Sequence, residues 1–284
     1  QMNDFPSRRF SQPVWDGSNL EGRTILLHAE QGFGDTIQFI RYAPLVAGYQ
    51  GRVFVECYAP LIKLFKCIPG IEQLIVKGET LPEFDVHAPL MSLPGILGTT
   101  LETVPAEVPY LYPPIPPIQL AVPPETRLKV GIVWASKPNH PTTGRRSCPL
   151  SFFLNLQSIP GVALYSLQKD PVASDLAQLQ QTGLVQDLSD QLHDFSDTAS
   201  AVSQLDLVIS VDTAVVHLAG ALGQKVWLLL SFIPDWRWML GHEDSLWYPT
   251  MRLFRQESPG DWAGVFVRVA RALEDVLAEK RSHT

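Results

Sequence analysis

The chain has 284 residues, 45% of them hydrophobic and 18% charged, with a formal net charge of −7. That length suits two domains with buried cores, and the acidic balance excludes a broad nucleic-acid surface, which needs clustered Lys and Arg. The longest apolar run, Val226 to Pro234, is far short of the ~20 residues that span a bilayer.

The first twenty residues have little periodicity and no signal-peptide pattern, and read as a lead-in from something upstream. Thr24 to Ala29 then reads as a strand, and Asp35 to Ala47 as a helix with Ile37, Ile40 and Leu45 on one stripe, kinked late by Pro44. Arg52 to Cys57 is a strand and Ala59 to Cys67 a helix ended by Pro69-Gly70. Ile71 to Val76 and Phe84 to Ala88 are short strands, and Leu90 to Leu97 is a helix broken by Pro94 and Gly95. Val104 to Pro124 holds eight prolines. It can neither join a sheet ladder nor continue a helix, so it is an extended connector containing the domain boundary.

Beyond it the alternation restarts. Lys129 to Ala135, Val162 to Leu167, Val185 to Leu188, Leu207 to Ser210 and Lys225 to Ser231 are strands. Pro149 to Gln157, Ala173 to Gln181 and Phe195 to Gln204 are helices between them, and Asp261 to Glu279 is a closing amphipathic helix. Such alternation implies parallel sheets covered by helices on both faces, an α/β fold. Two α/β halves place a cleft between them, where ligands are favoured. Cys57, Cys67 and Cys148 are odd in number and lack metal-ligand spacing, so they read as reduced core thiols of a cytosolic protein.

The most informative stretch is Ser210-Val211-Asp212-Thr213-Ala214-Val215-Val216-His217, a strand end that turns directly into a helix. Asp212 or Thr213 can cap that helix, whose first amides and dipole then favour a phosphate. His217, about one turn in, either faces the same pocket or is a satisfied core histidine. Glu30-Gln31-Gly32-Phe33-Gly34-Asp35-Thr36 opens the first helix. There Asp35 is either a cap on a tight turn or a carboxylate held in the cleft as general base. Its two glycines are only part of a dinucleotide fingerprint, and Glu56 is the nearest acidic candidate for a ribose, so a nicotinamide enzyme is disfavoured. After the strand ending at Ala135 comes a long cationic loop. In it Ser136, Lys137, Arg145 and Arg146 either contact a diphosphate or form a solvated surface. Gln168 or Lys169, at the next strand end, either reaches a base or ribose or is a plain polar strand end. Trp236, Trp238, Trp247 and Tyr248 either stack on a base or sugar, or wedge the cleft or pack the last helix.

Gln31-Gly32-Phe33-Gly34-Asp35-Thr36, the Asp212-Thr213…His217 motif and the tail Trp247-Tyr248-Pro249…Arg252-Leu253-Phe254-Arg255-Gln256…Gly260-Asp261-Trp262 resemble glycosyltransferase family 9. That family includes the bacterial lipopolysaccharide heptosyltransferases, and the nearer likeness is to glycosyltransferase-like domains that follow tetratricopeptide repeats in bacterial proteins. The similarity runs from about Leu20 to Ala278. It implies a GT-B fold, two Rossmann-like domains facing a cleft: an acceptor domain over 1–120, a sugar-nucleotide domain over 121–262, and a helix over 263–284 crossing back to the first. It also implies a cytoplasmic, inverting, metal-independent transfer from a nucleotide-sugar donor, needing no other cofactor, to an unidentified acceptor sugar, lipid-linked glycan or protein. Asp35 is then the base. Gly34, Ser136, Lys137, Arg145, Arg146, Gln168, Asp212, Thr213, Ala214 and His217 line the donor side. Heptosyltransferases carry a lysine soon after the Ser136 position, and here Lys137, Arg145 and Arg146 are the candidates. The competing reading is a non-catalytic GT-B-like binding or scaffolding module attached to tetratricopeptide repeats.

Overall fold

The computed structural model describes residues 10–113, 117–136 and 143–282. In the first lobe the chain runs β1 (Thr24–His28), α1 (Phe33–Phe39), α2 (Ala43–Ala47), β2 (Arg52–Cys57), α3 (Ala59–Phe65), β3 (Ile71–Val76), β4 (Val86–Pro89) and α4 (Leu93–Ile96). The four strands form a parallel sheet in the order β3-β2-β1-β4. Every residue of β1 is buried, as a strand covered on both faces must be. Ile25, Leu27, Val53 and Val55 join the main core, while Leu26, Phe54 and Ile75 form a small cluster with Phe10, Leu81 and Phe84 on the other face.

The helix expected over 35–47 is two helices with a 3₁₀ step at Ile40–Tyr42 between them. Pro44 is the cause: it has no N–H to bond back to residue 40, but its fixed φ suits the first turn of a new helix, where it sits. At the other end Asp35 closes α1 as expected, its Oδ2 accepting from Gly32 N at 3.1 Å.

The second lobe holds β5 (Leu128–Val133), α5 (Thr143–Arg146), α6 (Leu150–Leu154), β6 (Val162–Ser166), α7 (Ala173–Thr182), β7 (Val185–Asp187), α8 (Phe195–Val202), β8 (Leu207–Val211), α9 (Ala214–Ala221), β9 (Val226–Leu230), β10 (Met251–Arg255) and α10 (Trp262–Ser282). Its parallel sheet has the order β10-β9-β8-β5-β6-β7, so the topology switches between β5 and β8. In such sheets ligands bind outside the carboxyl ends of the strands at the switch point. The edge strand β10 had no counterpart in the sequence reading; its alternation is imperfect, with Arg252 exposed and Arg255 half-buried.

The lobes meet directly. Helix α1 packs on α9 and α3 on α8, and one apolar core runs through both lobes, from Ile37 and Phe39 to Val216, Leu218 and Trp247. The proline-rich connector is part of this junction: Tyr110 N and Leu111 N donate to Ala221 O, and Tyr110 Oη donates to Ile37 O at 2.9 Å. Where a helix over 263–284 was expected to cross back to the first lobe, the chain forms α10. Its apolar stripe, Val265, Val269 and Leu273, is buried with Trp227 and Phe254 of the second lobe, and Lys280 pairs with Asp206 at 2.9 Å. The stripe packs against β10 and α6.

Cys57 and Cys148 are buried free thiols, and burial pushes Cys57 up to about 12. Cys67, expected in the core, is exposed at the end of its helix. A cavity of about 420 Å³, lined by Thr24, Arg52, Glu83 and Asp85, lies at the amino-terminal edge of the first sheet, away from the carboxyl ends of its strands. No described helix is long and apolar enough to cross a membrane.

Candidate functional site

Strand β8 ends at Val211 and α9 begins at Ala214, so Asp212 and Thr213 make the turn at the carboxyl edge of the sheet. Thr213 is the cap: its Oγ1 accepts from Val215 N at 3.3 Å. Thr213, Ala214 and Val215 stay half-buried, so the positive end of α9 is not sealed off. On the neighbouring strand end, Ser136 Oγ is buried with no hydrogen-bond partner. A desolvated hydroxyl left unpaired costs about 1–3 kcal/mol, and a ligand oxygen would remove that cost.

Five charged side chains link the lobes beside this tip. Arg237 Nη2 donates to Asp35 Oδ1 at 2.7 Å, and Arg237 Nη1 lies 3.2 Å from Asp235 Oδ1. Arg146 Nη2 lies 3.3 Å from Asp235 Oδ2, and its Nη1 lies 3.3 Å from Asp212 Oδ2. Carboxylates and guanidiniums thus alternate from Asp35 to Asp212. Asp235 also caps the 3₁₀ turn Trp236–Trp238, and Trp236 lies over the Arg237 guanidinium at 5.2 Å. Burial pushes the Asp212 carboxyl above its ordinary range, while Arg146 and Arg237 pull it back. The net worth of such a buried network is small, but removing one partner strands a charge.

His217 does not face this site. It is fully enclosed, its Nδ1 3.0 Å from Tyr248 Oη and its ring stacked on Trp238 at 5.3 Å. Burial, helped by Arg237, Arg41 and Arg146, holds the imidazole well below its ordinary pKa, so it is neutral. One turn into α9, the side chain points at α1 rather than along the helix axis. Gly34, expected on the donor side, is the residue it meets: a Cβ there would lie 2.8 Å from His217 Cδ2. Its lack of a side chain lets α1 and α9 touch.

No protein-family model matches the chain. FlbA of Caulobacter vibrioides is 26% identical over 303 residues, an alignment that takes in 98% of this chain and 50% of FlbA. The chain therefore spans about half the length of that relative. The glycosyl transferase family 9 structure from Veillonella parvula superposes with a TM-score of 0.64 at 12% identity, covering 93% of this chain and all of that one (100%). The E. coli heptosyltransferase WaaC with ADP gives 0.58 at 12% identity, covering 92% and 100%. The fold is GT-B.

In this GT-B frame the expected donor residues divide. Asp212, Thr213, Ala214, Ser136 and Arg146 gather at the carboxyl edge of the second sheet, with Asp35 facing them from the first lobe. Gln168 does not reach outward: its Oε1 accepts from Ala135 N at 3.0 Å and its Nε2 donates to Lys169 O, so it braces two strand ends. Lys169 Nζ likewise donates to Ser189 O. Arg145 is exposed, and Lys137 lies outside the described residues. Of the aromatics, Trp238 and Tyr248 pack around His217, Trp247 is buried, and only Trp236 is exposed.

Arg237 and Asp235 were missed. Both flank Trp236 in the loop after β9. The available signal was position, since the loop follows the strand beside β8. Arg41 was also missed. It is buried, donating to Gln38 O, Pro105 O, Trp247 O and Tyr110 Oη, and so ties α1 to the connector and the second lobe. Glu30 had no assigned role. Its Oε1 accepts from Met91 N, its Oε2 has no partner, and burial raises its pKa.

Proposed function

We propose that this chain is an inverting, metal-independent glycosyltransferase domain that moves a sugar from a nucleotide-sugar donor to a hydroxyl acceptor. One arrangement carries the reading. A half-exposed helix tip with a free buried hydroxyl, Ser136 Oγ, stands beside two guanidiniums, Arg146 and Arg237, and directly opposite a carboxylate, Asp35. The acceptor oxygen attacks the anomeric carbon, the bond to the nucleoside diphosphate breaks, and Asp35 takes the acceptor proton. A positioned base contributes a factor of about 10² to 10⁴. The α9 amides with Arg146 and Arg237 stabilise the charge that develops on the departing diphosphate, in place of a divalent ion. An ADP-sugar is the first donor to test, because the similar WaaC structure carries ADP. The acceptor is a sugar, a lipid-linked glycan or a protein, and the setting is a cytoplasmic bacterial protein in which the domain is joined to tetratricopeptide repeats.

The test is a thermal-shift screen of ADP, GDP, UDP and their sugar conjugates. Ligand at ~100-fold over Kd adds about 2.7 kcal/mol, a rise of about 4–5 °C for a chain of this size. No shift across the set refutes the donor site. With a responding donor, transfer that survives a chelator supports metal independence, and transfer lost on chelation refutes it.

A second reading, the non-catalytic binding module, is favoured by one observation: both Asp35 oxygens are engaged by the protein itself, by Arg237 and Gly32 N. Asp35→Asn separates the two. Under the enzyme reading it abolishes transfer and keeps nucleotide binding; under the module reading wild-type protein transfers nothing.

A further inference from the structure

Arg237 belongs to the second lobe, yet its shortest contact is to Asp35 of the first, at 2.7 Å. Its side chain is 6% exposed, and its Nε has no partner. Arg146, by contrast, makes two looser contacts of 3.3 Å each, both within its own lobe. In the chain from Asp35 to Asp212, three carboxylates face two guanidiniums, so both cations are already compensated. A diphosphate arriving at the α9 tip must compete for them with the protein's own carboxylates. For Arg237 that competitor is Asp35.

We propose that Arg237 is a latch: in the ligand-free protein it clamps Asp35 across the lobes, and an incoming nucleoside diphosphate draws it away, leaving the Asp35 carboxylate free for the acceptor. The inference rests on the donor reading above. It makes Arg237 a positioning residue that links two events, since a guanidinium drawn toward a diphosphate at the α9 tip no longer holds its 2.7 Å contact with Asp35. Donor binding and release of Asp35 are then coupled, and the coupling is reciprocal. While the latch is closed, the apparent affinity for the diphosphate is lowered by the fraction of molecules that are open.

Titration calorimetry with ADP, or with GDP or UDP if one of those binds instead, tests this on four proteins: wild type, Asp35→Asn, Arg237→Gln and the double variant. Asparagine keeps the side-chain shape and the acceptor for Gly32 N, so the α1 cap survives. Asp35→Asn should tighten binding about 3- to 10-fold, because a latch closed in ~90% of molecules lowers affinity about tenfold. Arg237→Gln should weaken it, and adding Asp35→Asn to Arg237→Gln should change nothing further. Arg237→Lys, which keeps the charge, should restore part of the Asp35 effect and serves if Arg237→Gln does not fold. Equal tightening in both backgrounds would mean plain charge repulsion and no latch, and an unchanged affinity in Asp35→Asn also overturns the proposal. If wild type binds none of the three nucleotides, the donor reading fails and takes the latch with it. Binding without the Asp35 effect removes the latch alone.

Discussion

Substituting Gly34 by alanine probes the closed junction of the lobes. The new Cβ would lie 2.8 Å from His217 Cδ2 and 3.5 Å from Ala214 Cα. The imidazole has no room to retreat, because Trp238 stacks on its ring at 5.3 Å and Tyr248 Oη holds its Nδ1 at 3.0 Å. Overpacking of this kind costs about 1–3 kcal/mol. Alanine recovers part of the ~1 kcal/mol by which glycine weakens a helix, leaving a net loss of about 1–2 kcal/mol. For a chain of this length that lowers Tm by about 2–3 °C. The assay is thermal or urea unfolding of Gly34→Ala, His217→Ala and the pair. His217→Ala alone is destabilising through the cavity it leaves. In its background, however, Gly34→Ala should cost nothing or stabilise slightly, a coupling of about 1–3 kcal/mol. A Gly34→Ala single variant as stable as wild type would refute the direct contact of α1 with α9.

Arg41→Met should destabilise by about 3–5 kcal/mol in urea unfolding, because the carbonyls of Pro105 and Trp247 lose their donor inside the lobe junction; a loss below about 1 kcal/mol would mean that water reaches them. Ser136→Ala should leave unfolding unchanged or raise stability by up to about 1 kcal/mol, since its buried Oγ bonds nothing. The same variant should weaken nucleoside diphosphate binding about 3- to 10-fold, one hydrogen bond's worth. On pH, His217 and His87 are both held below their ordinary 6.5 by burial, so the unfolded chain binds more protons and stability falls as pH drops below 6.5. His217, held well below that value, contributes up to about 1.4 kcal/mol per pH unit once its unfolded form is charged. Asp212 and Glu30, raised by burial, act oppositely at lower pH, where their folded carboxyls take up protons first. His217→Gln should therefore flatten the stability profile between 6.5 and about pH 5.5; an unaltered slope would mean that His217 titrates normally in the folded state.

The alternation of apolar runs with amphipathic stretches was enough to specify two parallel sheets, because strands buried on both faces and one-sided helices leave plain periodicities. The Asp212-Thr213 turn was equally legible, since a cap and a strand end are local in sequence. So was Asp35 at the start of α1, three residues from the glycine whose amide it binds. What lay beyond reach was which side chains meet across the lobes. His217 and Gly34 are separated by most of the chain, and only their packing makes one a core histidine and the other a spacer. Arg237 carries no motif; its meaning comes from Asp35, 202 positions away. The closing helix read correctly as amphipathic, but an apolar stripe does not say which groove it fills; in the fold it is buried with Trp227 and Phe254. Periodicity reports which face of an element is buried, whereas the partner that buries it is decided by shape and charge across the assembled fold.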